Sequence, residues 1–462
     1  MSDQTPLAEA EERREDDYAL DRGLVSDVLL ALTTDDYDLL AELLDPLHPA
    51  DIADLLEQID TKERRDLIDF AGPLIDGEVL SEIDEDIRED VIDALPDDQL
   101  AEAVRELESD DVVDILEDLD DPQQEAILGA LDQGDRIAVE AALAYPEFSA
   151  GRLMQRELVT APEHWTVGNA IDHLRTQEEL PEQFYHVILV DPRFKPVAYV
   201  TLGRLMSSAR DTALSEITED SFRTFRADED EGDIAYAFNQ YHLISAPVVD
   251  AEGRLAGVIT IDDAMVVLDE EHEEDVFRLA GVGEESLSTS TLQIVRRRFP
   301  WLGVNLVTSI IASIVISLFE DALTAIVALA VLMPIIASMG GNAATQSMTV
   351  AVRALATRDL TSSNALRVIR RESVAGLLNG VIFAVVMGVV GVIWFGSPLL
   401  GVVIGAAMVV NLLVAGFSGV LIPLALDKVG VDPALASGSF VTTVTDVVGF
   451  FAFLGLATLV LL

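Results

Sequence analysis

Apolar and polar positions follow three rhythms along this chain. From about Leu24 to Tyr145 the apolar residues come in short bursts at helical spacing. Segments beginning near Asp84, Pro96, Glu108 and Asp120 recur every twelve residues. Leu100, Val104 and Leu107 share one helix face, and Val112, Leu116 and Leu119 repeat the pattern. An i, i+4, i+7 stripe gives each short helix one side to bury. Asp or Pro at each joint caps one helix and stops the one before it. The pattern predicts a small superhelix of stacked helices whose acidic face is open to solvent or ions. Residues 1–22 are polar and charged and are expected to be unstructured.

From 151 to 274 the rhythm changes to short β-branched runs. Two halves repeat with an offset of 59 residues: Tyr185–Val190 aligns with Ile244–Val249, and Ala198–Met206 with Gly257–Met265. Each half reads strand, turn, strand, helix. This tandem resembles a pair of CBS domains, modules that associate with each other and sense adenine nucleotides. Asp262 to Arg278 then reads as one acidic helix, and 287–298 lead from it to Arg296, Arg297 and Arg298.

The third rhythm is continuous hydrophobicity. Five apolar segments, at about 299–319, 322–347, 373–395, 399–426 and 436–462, are each long enough to cross a hydrocarbon core of roughly 30 Å. Arg296–Arg298 precede the first, five arginines separate the second from the third, and Lys428 separates the fourth from the fifth. The two other loops carry Glu320 and Asp321, or no charge. All basic loops thus lie on one side, which the positive-inside rule assigns to the cytoplasm. The expected location is the plasma or inner membrane, with the soluble domains cytoplasmic and the C-terminus outside.

Charge sharpens this division. Residues 301–462 hold seven acids and six bases, so nearly all of the net charge of −53 lies before residue 301. Only three of the 29 bases are lysine. Such a surface suits a salt-loving cell, where it stays strongly hydrated, and it excludes nucleic acid as a partner. With no cysteine, disulfides, thiol catalysis and thiolate metal sites are ruled out. No GxxxxGK[ST] motif is present, so ATP hydrolysis is not expected to drive transport, and the chain does not read as an enzyme.

Asp446 is the ionisable residue set well inside an apolar segment. A carboxylate there costs roughly 2.5–3.5 kcal/mol on insertion scales, so it normally faces water, an ion or a partner. Ser439, Thr442, Thr443 and Gly449 extend a small, polar stripe along its helix face. Two copies in a symmetric homodimer would put two carboxylates on one axis. Magnesium, which keeps most of its water and binds through one or two carboxylates, suits that arrangement better than calcium or zinc. Asn342, after Gly340-Gly341, offers an amide oxygen near the end of the second segment. Asp432-Pro433 reads as an N-cap followed by Pro at the first helical position, at the inner mouth of the fifth helix. Gly257, Thr260 and Asp263 fit the G-h-h-T-x-x-D pattern with which CBS domains hold a ribose and a phosphate. The first half, Ala198 to Arg204, lacks the carboxylate, so one nucleotide site per chain is expected.

With these motifs in place, the chain resembles the MgtE family of magnesium channels over essentially all of 24–462. The specific stretches are PIIASMGGNAATQS (334–347) and DPALASGSFVTTVTDVVG (432–449). The resemblance implies a multidomain fold: a superhelical α-helical N domain, tandem α+β CBS domains and a five-helix transmembrane domain. The expected boundaries are 23–148, 149–211, 212–270, a connecting helix region at 271–298, and 299–462. It implies that Asp446 is the pore carboxylate, with Asp432 and Asn342 near the inner mouth. It also implies closure by cytoplasmic Mg2+ bridging acids, here Asp230, Asp263, Glu271, Glu274 and Asp275, with Asp110, Asp111 and Asp114. Three positions depart from relatives: Gly438 where some carry asparagine, and His242 and Val266 where aspartate occurs. The expected function is Mg2+ transport into the cytoplasm by a homodimer, gated by Mg2+, with ATP as a regulatory ligand. The alternatives are a nucleotide-regulated transporter of Mn2+ or Co2+, and a membrane-anchored sensor without transport, against which Asp446 argues.

Overall fold

A computed structural model describes residues 20, 22–117, 119, 121–177, 180, 181, 183–282, 289, 291–436 and 438–462. The expected unstructured tail lies almost wholly outside these residues, as does part of the 287–298 connection. The chain divides into two compact units, one ending at Glu270 and the other beginning at Glu271.

In the first unit, ten described helices run from Arg22–Thr33 (α1) to Gln133–Ala142 (α10). Their starts follow the cap chemistry read from sequence. Asp60 accepts from the backbone N–H of Lys62 and Glu63, and Glu63 returns a bond to the Asp60 N–H, a reciprocal capping box. Leu55, Leu56, Leu67, Leu80, Ile115 and Leu116 fill the core. The twelve-residue period resolves into helix pairs. Buried Arg64 donates to the Leu56 carbonyl and pairs with Asp90, while Arg88 donates to the Ile83 carbonyl and pairs with Asp114. Each arginine thus satisfies a carbonyl before a helix start while its charge reaches an aspartate one pair further on.

A one-turn helix, Ala150–Leu153 (α11), leads into two three-stranded sheets. Strands Thr160–Pro162 (β1), His186–Val190 (β2) and Pro196–Thr201 (β3) form one, in the order β1-β2-β3. Phe225–Arg226 (β4), Ser245–Val249 (β5) and Leu255–Thr260 (β6) form the other in the same order. In both, the first pair is parallel, the second antiparallel, and the register slips at the last residue of the middle strand. The sequence offset of 59 is therefore kept down to a bulge. Helices Val167–Leu174 (α12), Leu202–Ser207 (α13) and Glu231–Tyr241 (α14) complete the halves.

Ile261–Ala280 (α15) is one continuous helix, longer than the expected 262–278 and crossing the division at 270. Beyond it, five helices are long and apolar enough to span a membrane: Thr291–Ser317 (α16), Ala328–Ala356 (α18), Ala365–Phe395 (α19), Pro398–Lys428 (α20) and Gly438–Leu461 (α21). A short helix, Glu320–Ala325 (α17), precedes α18. Three helices begin or end well beyond their apolar stretch, because helical hydrogen bonding continues into the polar interface where hydrophobicity has already fallen. Glu372, expected just outside the third segment, accordingly lies inside α19. Helix α20 is the most enclosed of the five. Its Gly416 meets the Glu372 carbonyl of α19, and Gly376 of α19 meets the Leu412 carbonyl. Such small-residue contacts let membrane helices approach closely where lipid offers no hydrophobic drive.

Candidate metal-sensing and pore sites

The first site is built where helix Ser109–Glu117 (α8) meets the segment 155–157 and the start of α15. Ser109 Oγ donates to Glu157 Oε2 at 2.8 Å, and the Arg156 N–H donates to Ser109 Oγ at 2.8 Å. Gln155 donates to the Glu108 carboxylate. This docking gathers Glu108, Asp110, Asp111 and Asp263. Asp110 is buried; one of its oxygens accepts from the Asp111 N–H, while Oδ2 has no hydrogen-bond partner. Burial, with the neighbouring acids, pushes Glu108 and Asp111 up to about 7 and Asp263 up to about 6, and raises Asp110 well above the carboxylate range. An unpartnered carboxylate oxygen among three other acids is a site that favours a proton or a cation. Among the described residues, no three such groups converge closely enough to grip one bare ion.

Of the other expected sensor acids, Asp114 lies near enough to add its charge to Asp111 and Asp263, and the rest are dispersed. Asp114 is exposed and engaged by Arg88. Asp230 caps α14, accepting from the Asp233 N–H at 3.3 Å. Glu271 is exposed on α15. Glu108 was not singled out from sequence as a site residue; its position at a helix joint, two residues before Asp110-Asp111, was the available signal.

In the second unit, Arg278 pairs with both Glu274 and Asp432. The other Asp432 oxygen accepts from the Ala434 N–H at 2.8 Å. Asp432 thus caps the short 3-10 turn Pro433–Ala436 and not the fifth helix, which begins at Gly438, and an arginine rather than an open position faces its remaining oxygen. Asp275 stands beside Asp432, Arg353 and His272; burial first, then Asp432, raises its pKa. Asn342 is exposed on α18, with its amide 3.4 Å from Ser338 Oγ. Asp446 is half-buried on α21, and no described residue donates a hydrogen bond to it. Thr442 and Thr443 turn their hydroxyls back onto the Gly438 and Ser439 carbonyls.

For the nucleotide motif, Thr260 Oγ1 donates to Asp263 Oδ2 at 2.5 Å. Asp263 therefore links the motif to the acid cluster. Gly257 has a packing reason of its own: a Cβ there would lie 2.7 Å from the Gln155 carbonyl. Thr260 also lines a cleft between the two sheets, with Phe184, Tyr185, His186 and Ser245, of about 20 Å3, room for about one water. His186 Nδ1 and Ser245 Oγ, 59 residues apart, sit 2.5 Å from each other. Burial pushes His186 down to about 4, so the ring is neutral at physiological pH.

A family model described as a divalent cation transporter matches residues 333–456, one for the MgtE intracellular N domain matches 47–148, and one for the CBS domain matches 214–270. The magnesium transporter MgtE of Bacillus subtilis is 31% identical over 332 residues, 72% of this chain and 74% of that protein. Its counterpart in Thermus thermophilus is 36% identical over 334 residues, again 72% of this chain and 74% of that protein. A crystal structure of the cytosolic domain of the Mg2+ channel MgtE with ATP is 30% identical, with a TM-score of 0.49, and covers 53% of this chain and 100% of that one.

Proposed function

The chain belongs to the MgtE family of divalent cation transporters, and from that premise we propose that it is a homodimeric channel for Mg2+, closed by Mg2+ on its cytoplasmic side. It is a multi-pass membrane protein that transports magnesium and is not an enzyme. The proposed direction is inward, with the C-terminus outside. Two copies of Asp446 on the dimer axis would attract the hydrated ion, and Asn342 would contact it near the inner mouth. At high internal Mg2+, Glu108, Asp110, Asp111 and Asp263 would hold the ion that keeps the soluble domains together. A nucleotide would meet Thr260 and Asp263 once the cleft between the sheets widens, which couples its binding to the same acids.

The observation that carries this reading is Asp446, a half-buried carboxylate in a spanning helix with no hydrogen-bond donor among the described residues. A buried charge kept without a partner costs several kcal/mol unless water or an ion reaches it. Asp446→Asn keeps the shape and removes the charge. At an effective dielectric of about 20, each lost charge–ion attraction is worth several kcal/mol, so Mg2+ flux should fall by about 100-fold or more. Flux into proteoliposomes, normalised to folded dimer, is the measurement, with Mn2+ and Co2+ run alongside. A folded Asp446→Asn protein that carries Mg2+ at the wild-type rate would overturn the reading.

A further inference from the structure

Asn411 lies at the middle of α20 and is fully buried. Its Nδ2 donates to the Ile336 carbonyl of α18 at 2.8 Å, while its Oδ1 is buried with no hydrogen-bond partner. Its amide plane is wedged between two glycines. A Cβ on Gly340 of α18 would collide with it, and a Cβ on Gly449 of α21 would lie 2.8 Å from its nitrogen and 3.0 Å from its oxygen. Those glycines adjoin the two candidate ion ligands: Gly340 is two residues before Asn342, and Gly449 is three residues after Asp446. On the other side of Asp446, Thr442 of α21 packs on Gly341, where a Cβ would sit 3.2 Å from its Cγ2. Helix α21 is therefore held against its neighbours one turn below and one turn above Asp446.

Stability alone does not account for an amide here. Ile336 already lies in a continuous helix whose own ladder serves its carbonyl. A buried amide oxygen left unpaired is costly, whereas an apolar side chain of the same shape would pack without that cost. What the amide adds is direction: it bonds α18, sits flat against both glycine backbones, and fixes depth and rotation of α21 relative to α18. We propose that Asn411 is a positioning residue of the permeation path, acting through the two glycines to set the spacing between Asn342 and Asp446, and so the discrimination between hydrated divalent ions. This rests on the reading of Asp446 as the ion-attracting group.

The test uses the full-length chain in proteoliposomes and reads the Mg2+:Mn2+ flux ratio, in which protein amount cancels. Asn411→Leu, close in shape but without the polar atoms, should leave assembly and thermal stability equal or higher while shifting the ratio by about fivefold, the size of one lost net hydrogen bond. Gly449→Ala should shift the ratio as well, and combined with Asn411→Leu it should shift it little further than either change alone, because both act on one contact. An unchanged ratio in a folded Asn411→Leu protein overturns the proposal. If Asn411→Leu does not assemble, an unchanged ratio in a folded Gly449→Ala protein overturns it. Either failure, with Asp446→Asn still inactive, leaves the pore reading standing; wild-type flux through Asp446→Asn removes that reading instead.

Discussion

Protons and magnesium should compete at the acid cluster, and the structure sets the size of the effect. Glu108 and Asp111 titrate near 7 and Asp263 near 6, chiefly because they are buried. Binding a cation there requires them ionised, so lowering the pH from 8 to 6 charges the ion the cost of removing their protons. A carboxyl of pKa about 7 lowers the apparent binding constant roughly tenfold over that range, and one of about 6 roughly twofold, so these three together give on the order of a hundredfold, to which Asp110 adds. The sign for stability is opposite without the ion. These groups have folded pKa values above their unfolded ones, so their contribution is full below about 4 and is lost as pH rises through about 7. Added Mg2+ should therefore raise the melting temperature more at pH 8 than at pH 6. The assay is the Mg2+ concentration that half-protects residues 23–280 of the full-length protein from protease. Ionic strength must be held constant, because screening alone compacts so acidic a chain. Glu108→Gln should remove about tenfold of the pH dependence, one carboxyl's share. A midpoint that moves by less than about threefold between pH 6 and 8 would refute the assignment of these acids as the ion's holders.

Two further outcomes follow from other pairs. Arg278→Gln leaves Glu274 and Asp432 without their shared cation, so flux at an internal Mg2+ that closes the wild type should rise about threefold to fivefold, as for a partly exposed ion pair. Asp432→Asn should do the same, and the double variant should be no leakier than either single; additive effects would show that the two residues act separately. Asp263→Asn should weaken ATP binding to the full-length protein by about tenfold or more, the worth of a charge-assisted hydrogen bond, and should lower the Mg2+ response with it. Calorimetry with each ligand titrated alone would detect unchanged ATP binding, which would take Asp263 out of the nucleotide site.

Most of the architecture was legible because it is carried by periodic burial. Leu100, Val104 and Leu107 read as one helix face without knowledge of their neighbours, since a helix exposes its period in its own sequence. The 59-residue offset made the two sheets legible together, including which strands correspond. Helix ends were less visible. The apolar runs placed the second membrane segment at 322–347, whereas α18 covers 328–356. Hydrophobicity marks where lipid begins, while the backbone ladder runs on until a cap stops it. Glu372 entered a helix for that reason.

The site residues divide along a different line. Asp446 was legible because a carboxylate in an apolar run is costly wherever its neighbours lie. Glu108, Arg278 and Asn411 were not, because their meaning depends on what faces them. In a chain with 82 acids, Glu108 becomes distinctive only when Gln155, Asp111 and Asp263 close around it. Arg278 becomes distinctive because it occupies the carboxylate expected to face an ion. Asn411 sits in a strongly apolar helix, the most enclosed of the five spanning ones, where a lone amide reads as a tolerated polar residue. Its weight comes from two glycines on other helices that have no room for a methyl beside it. The same comparison bears on the order of effects in transport. A change at Asp446 alters the attraction that brings an ion in, which is large and shared by every divalent cation. A change at Asn411 alters only the geometry in which that attraction acts, so it should redistribute flux among ions of different hydration and leave the total nearly intact.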